Sequence, residues 1–153
     1  MLYLLDSNIL LYAKLNAMPQ HKAVSAWLVD TVSGDDTVAV CETSVLSFLR
    51  VATNNKVFDP PLPINEAASF IQSLLDQPNV QIFNSSARHF SDLTAFIKKH
   101  KFDGNLVMDA HLAVLAANTG AVLVTCDQDF KKAPYLKVLD PVRSVGGQTP
   151  SPN

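Results

Sequence analysis

The sequence predicts an α/β protein, a three-layer sandwich with a mostly parallel central sheet flanked by helices. Short continuous apolar runs, which are typical of strands buried on both faces, alternate with longer segments of helical periodicity. Three of these runs lead directly into an acidic residue, at Asp6, Glu42 and Asp127. Because parallel strands place their carboxyl ends at one edge of a sheet, the same pattern predicts where a functional site lies.

Length and composition indicate one globular domain. The chain has 153 residues, of which 48% are hydrophobic and 17% charged, which is enough for a core and too apolar for a disordered chain. No apolar run reaches the roughly 18 residues of a membrane span, and no basic region followed by an apolar core marks a signal peptide. The net charge of −2 gives no global sign of nucleic-acid binding.

Cysteine usage points to a reducing compartment. Cys41 and Cys126 are the only two cysteines, and both stand at the end of apolar runs. That position favours small buried core residues over a metal site or a disulfide framework. We therefore expect a reduced, cytoplasmic protein.

The first part of the chain predicts one strand and two helices. A strand over residues 2–6 leads into a short helix that ends at residue 14 and is capped by Ser7 and Asn8. Pro19 opens a second helix over 20–32, whose apolar residues recur at helical spacing.

The middle of the chain continues this alternation. A Gly-Asp-Asp turn precedes a strand over 37–41, and apolar spacing predicts helices over 43–53 and 64–76. Between these helices, the proline-rich segment 59–63 is a rigid loop and is too short to link two domains. A strand over 79–83 follows Pro78.

The last part predicts the elements that carry most of the acids. Apolar spacing gives a helix over 86–100, and a second apolar helix over 106–117 stops before Gly120. The remaining predicted elements are a strand over 121–125, a turn of helix over 129–133, and an edge strand near 137–139. The domain is expected to span 1–143, with a disordered tail over 144–153.

Asp109 is the acid that is hardest to explain as a solvated surface residue. It lies inside an otherwise apolar helix, where aspartate has a poor propensity. Each other acid has a structural alternative: Asp6 as a helix N-cap, Glu42 as a first-turn acid, and Asp127 and Asp129 as turn residues. All of them fall at the same predicted edge of the sheet, and clustered carboxylates repel one another without a cation. The pattern therefore predicts a site for a hard divalent metal.

Four segments resemble the PIN-domain ribonucleases, and most closely the toxins of the VapC type. They are LLDSNILLYA at 4–13, FLRVATN at 48–54, GNLVMDAHLA at 104–113 and TCDQDF at 125–130. Each segment alone is weakly specific, but the four occur in the family's order across about residues 2–141.

The resemblance implies an endoribonuclease that hydrolyses RNA phosphodiester bonds with Mg²⁺ or Mn²⁺. It implies that Asp6, Asp109 and Asp127 are metal ligands and that Glu42 is a further catalytic acid. Many members carry a glutamate three to five residues before the position of Arg50, whereas Glu42 stands eight residues before it. The residues that would position the carboxylates or contact RNA are Asn8, Arg50, Thr125 and Asp129.

The resemblance also implies protein partners. Toxins of this group are homodimers that a small antitoxin protein keeps inactive, with the antitoxin's tail filling the acidic groove. The expected partners are thus the RNA substrate, the cognate antitoxin and a second copy of the chain, with no membrane.

Two other functions remain to be weighed. The first is a PIN-like domain that binds RNA or a protein partner without cutting, which the unusual place of Glu42 favours. The second is a phosphotransfer domain, which is disfavoured. A haloacid-dehalogenase-like phosphatase needs Asp-x-Asp where this chain has Asp6-Ser7-Asn8, and a receiver domain needs an acid where it has Asn84.

One further feature of the sequence allows two interpretations. The basic run over residues 98–101 is either an RNA-phosphate contact or a solvated helix end that the helix dipole stabilises.

His111 stands two residues from Asp109, so the two do not share a helix face. We therefore interpret His111 as a supporting residue and not as a base.

Overall fold

The computed structural model describes residues 1–144 and contains a five-stranded parallel sheet with helices on both faces. The sheet has the strand order β3-β2-β1-β4-β5, and each neighbouring pair is parallel. The predicted α/β sandwich is therefore confirmed. The strands are Leu2–Leu5 (β1), Thr37–Cys41 (β2), Val80–Phe83 (β3), Val122–Val124 (β4) and Val138–Leu139 (β5).

Seven α-helices and two 3-10 turns join the strands within the described residues. The helices are Ser7–Lys14 (α1), His21–Val32 (α2), Glu42–Ala52 (α3), Ile64–Leu75 (α4), His89–His100 (α5), Val107–Thr119 (α6) and Pro141–Ser144 (α7). The 3-10 turns are Gly104–Leu106 and Asp129–Lys132. Within residues 1–144, no helix combines the length and the apolarity that crossing a bilayer requires.

The two faces of the sheet carry separate hydrophobic cores. Leu4 packs with Leu123 in the core covered by α5 and α6, whereas Leu5 packs with Val124 in the core covered by α1 to α4. All four side chains are fully buried. This alternation of neighbouring residues between two cores explains why the strands are continuously apolar and gives the three layers of the sandwich.

Element boundaries differ from the predicted ones where local hydrogen bonds decide them. Asp6 is the N-cap of α1 and not the last residue of β1, because its carboxylate accepts a hydrogen bond from the backbone nitrogen of Ser7. Glu42 is the first residue of α3. The helix predicted from residue 86 begins at His89, since residues 84–88 are all exposed and contribute nothing to the core.

The last helix, α7, has no counterpart among the predicted elements. Asp140 precedes it and accepts a hydrogen bond from the backbone nitrogen of Val142 through Oδ1, which is typical of an N-cap. Pro141 then takes the first helical position, which suits a residue without an amide hydrogen. Ser144, where the predicted tail starts, ends α7; residues 145–153 lie outside the described part of the chain.

Sheet topology places one crevice at the middle of the molecule. The chain builds outward from β1 in one direction through β2 and β3, and in the other through β4 and β5. The point between β1 and β4 is therefore a topological switch point, where open parallel sheets form their ligand crevices. At this point the backbone nitrogen of Asp6 donates to the carbonyl oxygen of Val124 over 3.0 Å.

Candidate metal centre

Three carboxylates meet beyond the carboxyl ends of the central strands. One carboxylate oxygen each of Asp109, Asp127 and Asp129 lies within 4.8 Å of the other two. Asp109 belongs to the first turn of α6, whereas Asp127 and Asp129 follow β4 in the chain. Two oxygens that each bind one hard cation at about 2.0–2.6 Å can be no more than roughly twice that distance apart. The observed spacing is compatible with one shared ion.

Asp6 lies deeper, at the N-terminus of α1, and is only 6% exposed. Its Oδ1 accepts hydrogen bonds from the backbone nitrogen of Ser7 at 2.6 Å and from the Ser7 hydroxyl at 3.3 Å. Its Oδ2 accepts from Asn8 Nδ2 at 2.9 Å and from Thr125 Oγ1 at 2.7 Å. The carboxylate is therefore held in one orientation by groups from both β1–α1 and the end of β4. Below, "acid site" means Asp6 together with Asp109, Asp127 and Asp129.

Thr125 links the two sides of the acid site. Besides donating to Asp6, its hydroxyl oxygen accepts hydrogen bonds from Asn8 Nδ2 and from the backbone nitrogen of Asp127, each at 3.0 Å. One donated and two accepted bonds use the full capacity of a hydroxyl group. Asp127 Oδ1 in turn accepts from the backbone nitrogen of Asp129 at 2.9 Å. The loop after β4 is thus fixed relative to Asp6.

Burial and mutual repulsion dominate the electrostatics of the acid site. Burial, followed by the charges of Asp6, Asp127 and Asp129, raises the pKa of Asp109 to about 7. Burial also raises the pKa of Asp6, while the hydrogen bonds from Thr125 and Ser7 act in the opposite direction. A bound divalent cation would remove this repulsion. An all-carboxylate set of donors fits a hard metal and not a soft one.

Glu42 and Arg50 lie near opposite ends of α3. Glu42 is exposed, and it is not among the charges that raise the pKa of Asp6 or Asp109. Arg50 is exposed in the last turn of α3 and makes no ion pair within residues 1–144. Within residues 1–144, the three clustered carboxylates therefore do not include Glu42.

Some contacts of the site have no counterpart in the sequence interpretation. Ser7, predicted only as a helix cap, contributes two hydrogen bonds to Asp6. Burial and then the charge of Asp140 raise the pKa of the Cys126 thiol to about 12, which leaves it unreactive at neutral pH. Ser7 stands at the start of α1 and Asp140 just before α7, where serine and aspartate are common capping residues. The sequence therefore carried a local signal for both residues.

His111 contacts a second histidine on the neighbouring helix α5. Its Nδ1 lies 2.7 Å from Nε2 of His89, and the two rings meet edge to face. Burial lowers the pKa of both imidazoles, so each favours its neutral form. The pair joins α5 to α6, in keeping with a supporting role for His111.

Comparison with known proteins gives a family and close relatives. The sequence model of the PIN domain matches residues 3–135. Ribonuclease VapC33 of Mycobacterium tuberculosis (strain CDC 1551 / Oshkosh) is 33% identical over 138 residues, covering 90% of this chain and 96% of that protein. Ribonuclease VapC31 of the same strain is 32% identical over 140 residues, covering 92% and 99%.

Solved structures share the fold at lower identity. VapBC2 from Rickettsia felis, bound to a DNA fragment from its promoter, aligns over 91% of this chain and 98% of that one, with a TM-score of 0.66 and 22% identity. VapBC-1 from nontypeable Haemophilus influenzae gives a TM-score of 0.65 and 19% identity over 92% of this chain and 98% of that one. These likenesses support the fold, and the sequence matches support the family.

Proposed function

This chain belongs to the PIN-domain family, and from that premise we propose that it is a divalent-metal-dependent endoribonuclease, the toxin of a toxin–antitoxin pair. The observation that carries the proposal is the close approach of Asp109, Asp127 and Asp129, which is unfavourable unless a cation is bound. The chain also covers nearly the whole length of relatives named as ribonucleases.

We assign metal binding to Asp6, Asp109 and Asp127, with Asp129 beside them, and the ion to Mg²⁺ or Mn²⁺. When bound, such an ion supplies Lewis-acid chemistry for the hydrolysis of a phosphodiester bond. Asp109 is partly protonated near neutral pH in the metal-free protein, because its pKa is about 7, and the protonated fraction must lose its proton to become a ligand.

The supporting residues act by orientation. Thr125, Asn8 and Ser7 fix both oxygens of Asp6 before any ligand arrives. Preorganised carboxylates of this kind lower the cost of holding a metal in a catalytic geometry. Glu42 keeps an assisting role at the margin of the site, and Arg50 a role in RNA contact or in packing.

The proposed partners follow from the family. The substrate is RNA, the inhibitor is a cognate antitoxin, and the active form is a homodimer, for which light scattering should give twice the mass of one chain.

The two cysteines are free within the described residues. Free thiols agree with the reducing cytoplasm, where we place the protein.

The proposal is tested by cleavage of RNA that carries a label at one end. We expect cleavage with Mg²⁺ or Mn²⁺, none with a chelator, and products with 5′-phosphate and 3′-hydroxyl ends. Asp6→Asn and Asp109→Asn should be inactive, because an amide is a poorer ligand for a hard cation than a carboxylate. Asp30→Asn, at an exposed position on α2, is the matched control and should cut like the wild type.

The non-cleaving alternative has one observation in its favour, the exposed position of Glu42. If Glu42 assists hydrolysis from the margin, Glu42→Gln should slow cleavage by roughly 10- to 100-fold without abolishing it. Purified wild-type protein that binds RNA, takes up metal and still cuts no RNA would establish the alternative in its place.

A further inference from the structure

Positive charge is concentrated in two short segments of an acidic protein. Residues 98–101 and 131–137 carry six of the 12 lysines and arginines and none of the 14 acids. The rest of the chain has six cations against those 14 acids, a balance of −8. A net charge of −2 therefore conceals a marked separation of charge, which can steer a polyanion.

The structure brings the two segments together. Tyr135 Oη lies 3.2 Å from Nε2 of His100, and the ring centroids are 5.3 Å apart. Both residues line one depression of about 280 Å³, together with Lys99. The end of α5 and the segment after the second 3-10 turn thus form one surface, with an aromatic side chain at their junction that is 54% exposed.

This surface continues into the acid site. Lys132 Nζ lies 3.8 Å from Oδ1 of Asp129, one of the three clustered carboxylates. Lys131 lines a cavity of about 370 Å³ whose lining also includes Thr125 and Asp127. Lys131 and Lys132 therefore place the basic segment after the second 3-10 turn directly beside the acid site.

The helix dipole explains only part of this arrangement. It accounts for Lys98 and Lys99 in the last turn of α5, but not for Lys131 or the exposed ring of Tyr135. Lys101 has a φ of 56°, in the left-handed region that favours glycine. The lysines at 98, 99, 101 and 131 are exposed and make no ion pair within residues 1–144.

We propose that these residues bind single-stranded RNA and guide it to the acid site; this rests on the proposed endoribonuclease function. The lysines contact phosphates, and Tyr135 stacks on an unpaired base, the combination by which proteins hold single strands with little sequence preference. This basic surface consists of Lys98, Lys99, Lys101, Lys131, Lys132 and Tyr135.

The first test measures binding without cleavage. A fluorescent single-stranded RNA of about 12 nucleotides, within the usual range of such sites, is titrated in chelator at several salt concentrations. Each lost phosphate contact lowers the slope of log K against log salt by about 0.7. Lys98→Gln/Lys99→Gln should thus reduce the slope by up to about 1.4, and Lys22→Gln/Lys56→Gln, at exposed positions elsewhere, should leave it unchanged.

Two further variants separate binding from folding. Tyr135→Ala should weaken RNA binding by about tenfold, as expected for one lost stacking contact, whereas Tyr135→Phe should retain affinity. Lys101→Gly removes a charge and relieves the positive φ, so it should weaken binding without lowering the melting temperature.

The outcomes distinguish this inference from the proposed catalysis. If the wild type binds RNA as described but never cuts it, the basic surface stands and the nuclease proposal fails. If the wild type cuts RNA and the lysine and tyrosine variants bind it with unchanged affinity and salt slope, the surface is wrong and the nuclease stands. Wild-type RNA binding in the variants combined with lost inhibition by the antitoxin would reassign the surface to that partner. A wild type that binds no RNA would overturn the inference.

Discussion

At the scale of single residues, Asp109 makes the fold sensitive to pH. Its pKa is about 7 in the folded protein, against an ordinary value of 3.8, so the folded state holds this proton more tightly than the unfolded state does. Below about pH 4 the carboxyl is protonated in both states, and the stability it contributes is fully present. That contribution is lost as the pH rises through 7 and the folded carboxyl ionises among its neighbours.

We therefore predict a pH-dependent difference between wild type and Asp109→Asn in the absence of metal. Between pH 4 and pH 8, the free energy of unfolding of the wild type should fall relative to that of the variant, because the amide cannot ionise. Urea denaturation at several pH values measures this difference. Asp30→Asn should follow the wild type. Parallel profiles for wild type and Asp109→Asn would show that Asp109 does not carry the raised pKa.

Thr125 is the residue on which the orientation of Asp6 depends. It is fully buried, and its hydroxyl has three hydrogen-bond partners. Thr125→Val keeps the shape of the side chain but leaves those three partners without this hydrogen bond, so it should lower the free energy of unfolding by about 1–3 kcal/mol. Metal affinity, followed as the rise in melting temperature with Mg²⁺ or Mn²⁺, should fall by roughly 10- to 100-fold.

Thr125→Ser is the matched control for that prediction. It keeps the hydroxyl and loses one methyl group, so it should cost about 1 kcal/mol of stability and leave metal affinity near that of the wild type. Equal loss of metal affinity in both variants would mean that packing, and not the hydroxyl, positions Asp6.

At the scale of elements, α6 carries the central acid and owes its C-terminal end to one glycine. Gly120 has a φ of 69° and follows the helix, where its backbone nitrogen bonds to the carbonyl oxygen of Ala117. Residues with a β-carbon disfavour this conformation, so the position suits glycine for backbone reasons alone.

Gly120→Ala should therefore lower the free energy of unfolding by about 1 kcal/mol while leaving metal binding intact, because Asp109 lies at the opposite end of α6. Gly34→Ala is the control. Gly34 lies outside the left-handed region, and an added β-carbon would lie 3.4 Å from the carbonyl oxygen of Asp30, an ordinary contact. Chemical denaturation of both variants should show a clear loss only at Gly120; equal losses would contradict the role of its φ.

At the scale of the whole molecule, the proposed chemistry predicts toxicity. Cleavage of cellular RNA halts protein synthesis, so expression of the wild-type chain without its antitoxin should arrest growth. Asp109→Asn should be harmless when it accumulates to the same level, since it lacks a carboxylate to which we assign metal binding. Growth curves with matched immunoblots measure this. Arrest by the variant at equal expression would mean that toxicity comes from binding and not from cleavage.

Residue pattern alone was sufficient for the architecture and for part of the site. Continuous apolar strands such as β1 and β4 require a covered parallel sheet, and a parallel sheet brings the ends of its strands to one edge. The approach of Asp6 to Asp127, which follow β1 and β4, could therefore be anticipated before the structure was known. These features depend on periodicity and strand direction, which are local properties of the chain.

The environment of each acid and the long-range contacts depend on the tertiary structure, because no single segment of the sequence specifies the strand order. Asp6 and Glu42 both follow apolar strands, but Asp6 is buried next to the end of β4, whereas Glu42 is exposed at the start of α3. The fold also brings a carboxylate oxygen of Asp129 within 4.8 Å of one of Asp109. Likewise, only packing joins Tyr135 to His100, because contacts between residues 35 positions apart depend on how the whole chain closes.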